Sequence, residues 1–499
     1  MENGAEPTCP RRTLDRTTRT IALTIAIFAA LSLTCALLSD GFVAADACTH
    51  YLYARYAFAD PVNLVDVWAR PFVTALFAIP AHLGGRMGVR VTSLLIAIGC
   101  GLVAWRIARG QGHRRPELAM LLTLGQPLLF VYSFGEMTEL PFALLLGAAF
   151  LAYQNRRWFW AALLIGLTPT ARPEGFGFVA LAAVGLLVQR RWAVLPVLML
   201  PLLAWDVGGW MLTARVGPWW HWLIAAWPWS EAGMYGRGNI LSYVAALPVI
   251  VSPLVLPATA IGTALDLREG ARLAEDHLRA CRFLTAAIPL FVLVVHSLLR
   301  WLGKFGSFGE PRYLLVVAPF WGVLSAAGWE WAFERLKWKH PVRWAAAAAL
   351  VPIVVNAIHP AVPIRLDADW KTARQFADWY RKSSLRERFP NVIASHPGIF
   401  YFLDANPTGN NRTGGFTRGL IGSPPRGAVL VWDPIFSAKN ASTEDATTLA
   451  AIQAAGWIAR PDIDAMLNRS GAQGKPQAPT APAQDWHVFV SPTERSTHR

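Results

Sequence analysis

Apolar runs alternate with short polar turns from residue 21 to residue 358, and there the alternation stops. The runs 21–38, 90–108, 117–134, 139–154, 158–168, 175–189, 192–213, 241–265, 283–300, 313–332 and 343–358 each read as a helix that crosses a bilayer, 158–168 being short and counted as a span because the basic loops then stay on one side. The stretch PFVTALFAIPAHL at 71–83 is apolar but only about two-thirds of a spanning length. It reads as an interfacial or re-entrant helix belonging to a first loop that begins at residue 39. After about residue 365 the pattern becomes that of a soluble unit. Helical period covers Trp370–Arg386 and recurs near 443–455. β-rich runs fall at NVIASH (391–396), GIFYFL (398–403), AVLVWD (428–433) and WHVFV (486–490). The expected fold is a polytopic α-helical membrane protein of about eleven transmembrane helices, followed by a small C-terminal α/β domain. Its expected parts are a tail at 1–20, a membrane domain at 21–360 whose first loop with amphipathic helices is 39–89, and the C-terminal domain at 361–499.

Charge orients the helices. RIARGQGHRR, NRRW, QRRW, DLREGARLAEDHLRACR and ERLKWKHPVR all fall on one side if each span crosses once. Basic loops mark the cytoplasm, and Arg11, Arg12, Arg16 and Arg19 place the N-terminus there too. The first loop and the C-terminal third are then extracytoplasmic, and a bacterial cell inner membrane is the expected location. Of the 499 residues 54% are hydrophobic and 16% charged, with mean hydropathy +0.34, which excludes an ordinary soluble enzyme. The net charge of +14 follows from the topology and requires no nucleic-acid partner. Five cysteines without CxxC or Cys/His spacing indicate neither a disulfide framework nor a zinc site.

The same topology gathers chemistry on the outer face. The first loop carries Asp40, Asp46, His50, Arg55, Asp60, Asp66 and Arg70. Glu136, Glu139, the segment Thr170–Gly175 and the segment Lys304–Arg312 lie at outer ends of spans. Carboxylates beside hydrocarbon are costly and mark function. Sugar transfer from a lipid-borne phosphate needs a carboxylate to take a hydroxyl proton and cations to hold the departing phosphate. Asp46 or Asp40 can supply the first. Arg55, Arg70, Arg172, Lys304 and Arg312 can supply the second. His50, Glu136, Glu139 and Trp219, from the Trp-dense loop 214–239, are candidate sugar or acceptor contacts. Each residue also has a plain structural use. Asp46 could be a helix N-cap, Arg172 could simply pair with Glu174, Glu136 and Glu139 could cap the helix that follows, and Trp collects at membrane interfaces.

Four stretches, in order, resemble the GT-C superfamily of integral-membrane glycosyltransferases. They are DGFVAADACTHYLYARYAF, then WARPFVTALFAIP with GVRVTSLLIAIGCGLVAWRIAR, then SFGEMTELPFALLLGAAFLAYQNRRWFWAALLIGLTPTARPEGF, and GEPRYLLVVAPF. They span roughly residues 20–330. The resemblance implies a donor such as polyprenyl- or dolichyl-phosphate mannose, a glycan, lipid or protein acceptor, and an inverting displacement with Asp46 as base. It places Arg172 and Arg312 near the donor phosphate and Glu139 toward the acceptor. The family often has two adjacent acidic residues where this chain has Ala45 and Asp46, which leaves Asp40 as a rival base. Some members use a divalent metal; no ligand set stands out here, and none is expected. A transporter or flippase, a glycan ligase or polymerase using diphosphate-linked donors, and a non-enzymatic scaffold are the competing readings.

Overall fold

The computed structural model describes residues 16–213, 217–227, 236–270, 276–304, 309–358, 362–408, 421–422, 424–441, 448–471 and 485–492. Most of the expected N-terminal tail, the middle of the Trp-dense loop and the Pro/Ala-rich stretch after residue 473 lie outside these.

The first helix, α1 (Arg16–Leu38), ends where the apolar run gives way to Ser39-Asp40-Gly41. A helix end leaves its last carbonyls without partners, and two arginines fill them. Arg90 Nη1 donates to the carbonyls of Ala36 and Ser39, both at 2.7 Å, and its Nη2 donates to Gly41 at 2.9 Å. Arg86 donates to the carbonyls of Asp40 and Gly41. The Nε atoms of Arg86 and Arg90 both donate to the same oxygen of Glu136, at 2.8 and 3.0 Å. Glu136 is wholly buried, so two cations and one carboxylate lock the exit of α1.

The chain then forms α2 (Ala45–Tyr56) and a short 3-10 turn, Pro61–Leu64, with Asp60 accepting from the Val62 amide at its start. Asp66 accepts from the amides of Trp68 and Ala69 at 2.8 and 3.0 Å, and Arg70 adopts a left-handed backbone (φ 65°) before Pro71 opens α3 (Pro71–Gly110). α3 is broken at Gly85 (φ 56°). The amphipathic stretch expected at 71–83 and the span expected at 90–108 are its two arms.

The next helices are α4 (Glu117–Leu124), α5 (Pro127–Tyr132), α6 (Glu139–Gln154), α7 (Trp158–Ala171), α8 (Gly175–Val188), α9 (Leu195–Leu212) and α10 (Trp222–Ala226). They are followed by α11 (Ser242–Val251), α12 (Leu256–Gly270), α13 (His277–Leu302), α14 (Ala318–Leu336) and α15 (Pro341–Ile358). Two expected spans are divided. The run 117–134 breaks at Gln126, which is extended because Pro127 follows it. The run 241–265 bends by 108° at Ser252-Pro253, where Ser252 has φ 75°. Among the described residues five helices are long and apolar enough to cross a membrane, six if the bent pair counts as one, and four more apolar helices have 10–17 residues. Eleven crossings would therefore require shorter and broken helices to span as well. α12 and α14 approach closely through Gly262 and Gly328, where a side chain would meet the opposing backbone, and Thr259 and Ser325 share a 2.7 Å hydrogen bond there. Small residues with one buried polar pair are a common way to join helices in lipid.

Residues 362–366 run beside the start of the first loop. The Gly41 amide donates to the Ile364 carbonyl, and the Ile364 and Leu366 amides donate to the Ser39 hydroxyl and the Asp40 carboxylate. Beyond them lie α16 (Ala368–Lys382), α17 (Leu385–Arg388) and α18 (Pro397–Leu403). A four-stranded sheet has the order β1 (Asn391–Ala394), β2 (Ala428–Trp432), β4 (His487–Val490), β3 (Ile458–Ala459). β1 and β2 are parallel, and the other pairs are antiparallel. β2 is buried on both faces. Val429 and Val431 meet Phe376 and Tyr380 of α16, while Leu430 and Trp432 meet Ile452 and Trp457.

The expected strand GIFYFL is helical, as α18. Pro397 sits in its first turn and His396 Nδ1 accepts from the Gly398 amide at 3.0 Å. A short apolar run carries no periodicity strong enough to outweigh such a cap.

Replacing Glu136 with alanine should leave Arg86 and Arg90 unpaired in a buried setting, at a cost of about 3–5 kcal/mol. Thermal unfolding in detergent reads this directly; an unchanged midpoint would remove the lock from any account of stability.

Candidate active site

The first turn of α2 presents Asp46 toward the 3-10 segment Pro311–Val317, which carries Arg312. Asp46 is not the helix cap, because Ala44 occupies that position in an extended conformation. Its Oδ2 instead accepts from Arg312 Nη2 at 2.7 Å. The Arg312 guanidinium also contacts Glu310, and its Nε lies 3.7 Å from Glu139. Glu139 opens α6 and is wholly buried. Its Oε1 accepts from Arg172 Nη1 at 2.7 Å. Arg172 occupies the junction of α7 and α8 beside Pro173, which bars continuation of α7. It donates further to Thr138 at 2.8 Å and to Glu174 at 2.8 and 3.1 Å. The Tyr313 ring lies beneath both guanidinium groups, 5.3 Å from Arg172 and 5.7 Å from Arg312.

Asp46, Glu139, Arg172 and Arg312, distant in sequence, thus form one chain of alternating charge, to which Glu174 and Glu310 add two more carboxylates. Asp46 is its open end: the side chain is 41% exposed, against 0% for Glu139. Burial pushes the Asp46 carboxyl up, and the charge and hydrogen bond of Arg312, helped by its surroundings, bring it below the usual carboxylate range. Burial likewise pushes Glu174 up, and Arg172 overrides it, bringing the carboxyl to about 2. Glu310 moves the other way, raised by burial against the pull of Arg312.

His50 stands one turn beyond Asp46, stacked on Trp68 with ring centroids 4.8 Å apart. Burial lowers it to about 3, so it is neutral at physiological pH. Arg70 stands near the same cleft. Burial and then the Arg172 charge lower it to about 10, and it remains a cation. Its Nη1 donates to the Val67 carbonyl at 2.7 Å, its guanidinium lies 5.6 Å from the Trp227 ring, and among the described residues it enters no ion pair.

The remaining sequence candidates lie elsewhere. Asp40 ties the first loop to residues 364–366, and Glu136 belongs to the lock below α1. Arg55 makes a two-pronged bond to Asp404 at 2.8 and 2.9 Å. Lys304 is exposed just past the end of α13, and Trp219 is 39% exposed with its ring against Trp220. In the sequence His296 of α13 stands out, with Asp206, only as an ionisable residue within a span and not as a site candidate; its Nε2 is 3.6 Å from Glu174 and its ring stacks on Tyr313 at 4.9 Å. A lone histidine inside a span, where ionisable residues are rare, was the available signal. Among the described residues no group of three or more His, Cys, Asp or Glu side chains could hold a metal.

The fold of this chain, a bundle of apolar helices followed by a small α/β unit, has counterparts among solved structures. Two solved structures share it, both of ArnT from Cupriavidus metallidurans. The apo form superposes with a TM-score of 0.56 at 13% identity, covering 95% of this chain and 99% of that one. The form bound to undecaprenyl phosphate gives 0.53 at 12% identity, covering 85% and 95%. At such identities the likeness is one of fold. No protein-family model and no curated protein matches the sequence.

The depressed Glu174 carboxyl carries a pH signature. Its folded value lies below the ordinary 4.5, so its contribution to stability is complete above that value and is lost as pH falls toward 2. Glu174→Gln should remove about 3 kcal/mol of acid sensitivity. The gap in unfolding midpoint between wild type and variant should close between pH 5 and pH 2; a constant gap would contradict this.

Proposed function

We propose that this protein is an inverting glycosyltransferase that moves a sugar, mannose or a similar hexose, from a polyprenyl-phosphate carrier to an acceptor hydroxyl at the extracytoplasmic face of a bacterial inner membrane. The observation that carries the proposal is the Asp46 carboxylate at the open end of a buried arginine–carboxylate chain. The N-terminus is assigned to the cytoplasm, and the C-terminal domain with the first loop to the opposite face. The shared fold with ArnT, crystallised with undecaprenyl phosphate, supports a polyprenyl-phosphate lipid as the carrier.

The acceptor hydroxyl enters beside Asp46, which takes its proton as the oxygen attacks the anomeric carbon. The bond from that carbon to the phosphate oxygen breaks, and the phosphate leaves with the electron pair. A carboxylate held down by Arg312 is a weak base. As negative charge grows on the leaving phosphate, Arg312 and Arg172 are drawn toward it, and Asp46 becomes more basic as the proton must move. Arg172 and Arg312 begin the reaction committed to carboxylates. Arg70, with no carboxylate partner among the described residues, is the guanidinium ready to receive the phosphate at the start.

Asp46→Asn keeps size and hydrogen bonding but cannot accept the proton. Transfer from radiolabelled polyprenyl-phosphate mannose by purified protein in lipid vesicles should fall by about 10²–10⁴-fold, with folding and donor binding kept. Equal transfer by both proteins would remove Asp46 from the role of base, and transfer by neither would redirect the search to another donor. Arg70→Gln should raise the donor KM by about 10–100-fold with a smaller effect on kcat. A change confined to kcat would place Arg70 in the transition state instead of in binding.

A further inference from the structure

One side of the cleft holds polar atoms that the protein itself leaves without hydrogen bonds. His296 is 5% exposed, and neither ring nitrogen has a hydrogen-bond partner. Glu174 Oε2 and Glu139 Oε2 are also buried and unpartnered. All three residues adjoin Arg172, which bonds Glu139 and Glu174 through their other oxygens. His296 Nε2 approaches the bonded oxygen of Glu174 at 3.6 Å, too long for a hydrogen bond. Buried polar atoms are almost always paired, and an orphaned set in one place points to a missing partner.

The chemistry of that partner follows from what the atoms need. The free oxygens of Glu174 and Glu139 can only accept. A neutral imidazole offers one donor and one acceptor. A phosphate in this place would meet two carboxylate oxygens with its own anionic oxygens, which is repulsive. A hydroxyl both donates and accepts, and neighbouring hydroxyls on a ring could satisfy the carboxylates and the imidazole together. The guanidinium groups of Arg70, Arg172 and Arg312 suit an anion, and the free oxygens of Glu174 and Glu139 with the His296 ring suit a polyol.

Building on the proposed function, we propose that Glu174, His296 and Glu139 form the subsite that binds the hydroxyls of the transferred sugar, with His296 as its specificity-determining residue. Tyr313 fixes the imidazole from one face by stacking, with ring planes 24° apart. Arg172 bonds Glu139 on one side and Glu174 on the other, so a sugar seated there has a guanidinium beside it to meet its phosphate linkage.

The test separates the sugar from the phosphate. Purified wild type and His296→Phe, which keeps an aromatic ring against Tyr313, are titrated with decaprenyl phosphate and with a panel of decaprenyl-phosphate-linked hexoses, pentoses and N-acetylhexosamines. Binding is read from intrinsic Trp fluorescence. At least one sugar-bearing lipid should bind wild type more tightly than decaprenyl phosphate, and His296→Phe should reduce that preference by about tenfold while leaving decaprenyl phosphate itself unaffected. His296→Gln, which restores a donor and an acceptor, should recover part of the preference. A preference undiminished in His296→Phe, or weaker binding of decaprenyl phosphate itself, overturns the subsite alone. Wild type that binds decaprenyl phosphate but prefers no sugar-bearing lipid also overturns it. Wild type that binds none of these lipids overturns the proposed function, and the subsite with it.

Discussion

The end of a membrane helix is a debt of unpaired carbonyls, and the way α1 settles it governs the geometry of everything outside. Arg90 and Arg86 reach across from the second arm of α3 and bond the carbonyls of residues 36, 39, 40 and 41. Two guanidinium groups would be untenable in so dry a place without Glu136, which accepts from both. Because the bonded carbonyls belong to the chain leading into α2, the angle at which α2 leaves the helix bundle is fixed by arginine side chains that bond its backbone. Asp46 is held in place by that departure.

The same economy of charge runs through the cleft. Arg172 lies between Glu139 and Glu174, and Arg312 lies among Asp46, Glu139 and Glu310. Alternating signs let several ionised groups persist where each alone would be too costly. The arrangement is also easily redistributed. Each guanidinium has more acceptors than a single carboxylate could provide, so an incoming anion competes for arginines that are already shared.

Much of the outline is legible in the sequence. Basic loops sorted the helix ends to two sides, and that sorting brought Asp46, Glu139, Arg172 and Arg312 into one candidate set. They do converge. It could not rank members within the set, because side of membrane says nothing about depth. Glu136 and Glu139 are three residues apart, and one serves the lock under α1 while the other lies within the cleft. Arg55 and Asp404 meet across a separation of 349 residues that no local pattern encodes. Breaks in helices were legible only in hindsight, from Gly85, Pro127 and Pro253, because proline and glycine also occur in unbroken membrane helices. GIFYFL was misread as a strand because its composition suits either element and His396-Pro397 decided in favour of helix.

The last third of the chain clasps the first loop. Ile364 pairs with Ser39 and Gly41, Asp404 grips Arg55, and Asn406 and Thr408 bond Asp60 and Asn63. During synthesis these partners arrive in a fixed order. The loop bearing Asp46 emerges early, and the segments that pin it emerge more than three hundred residues later, since the Ser39–Ile364 contact alone spans 325 positions. A nascent chain caught between those moments has Asp46 but not the frame that holds it. Completion of the polypeptide is then the event that assembles the cleft, and a chain truncated before residue 364 would enter the membrane without a settled first loop.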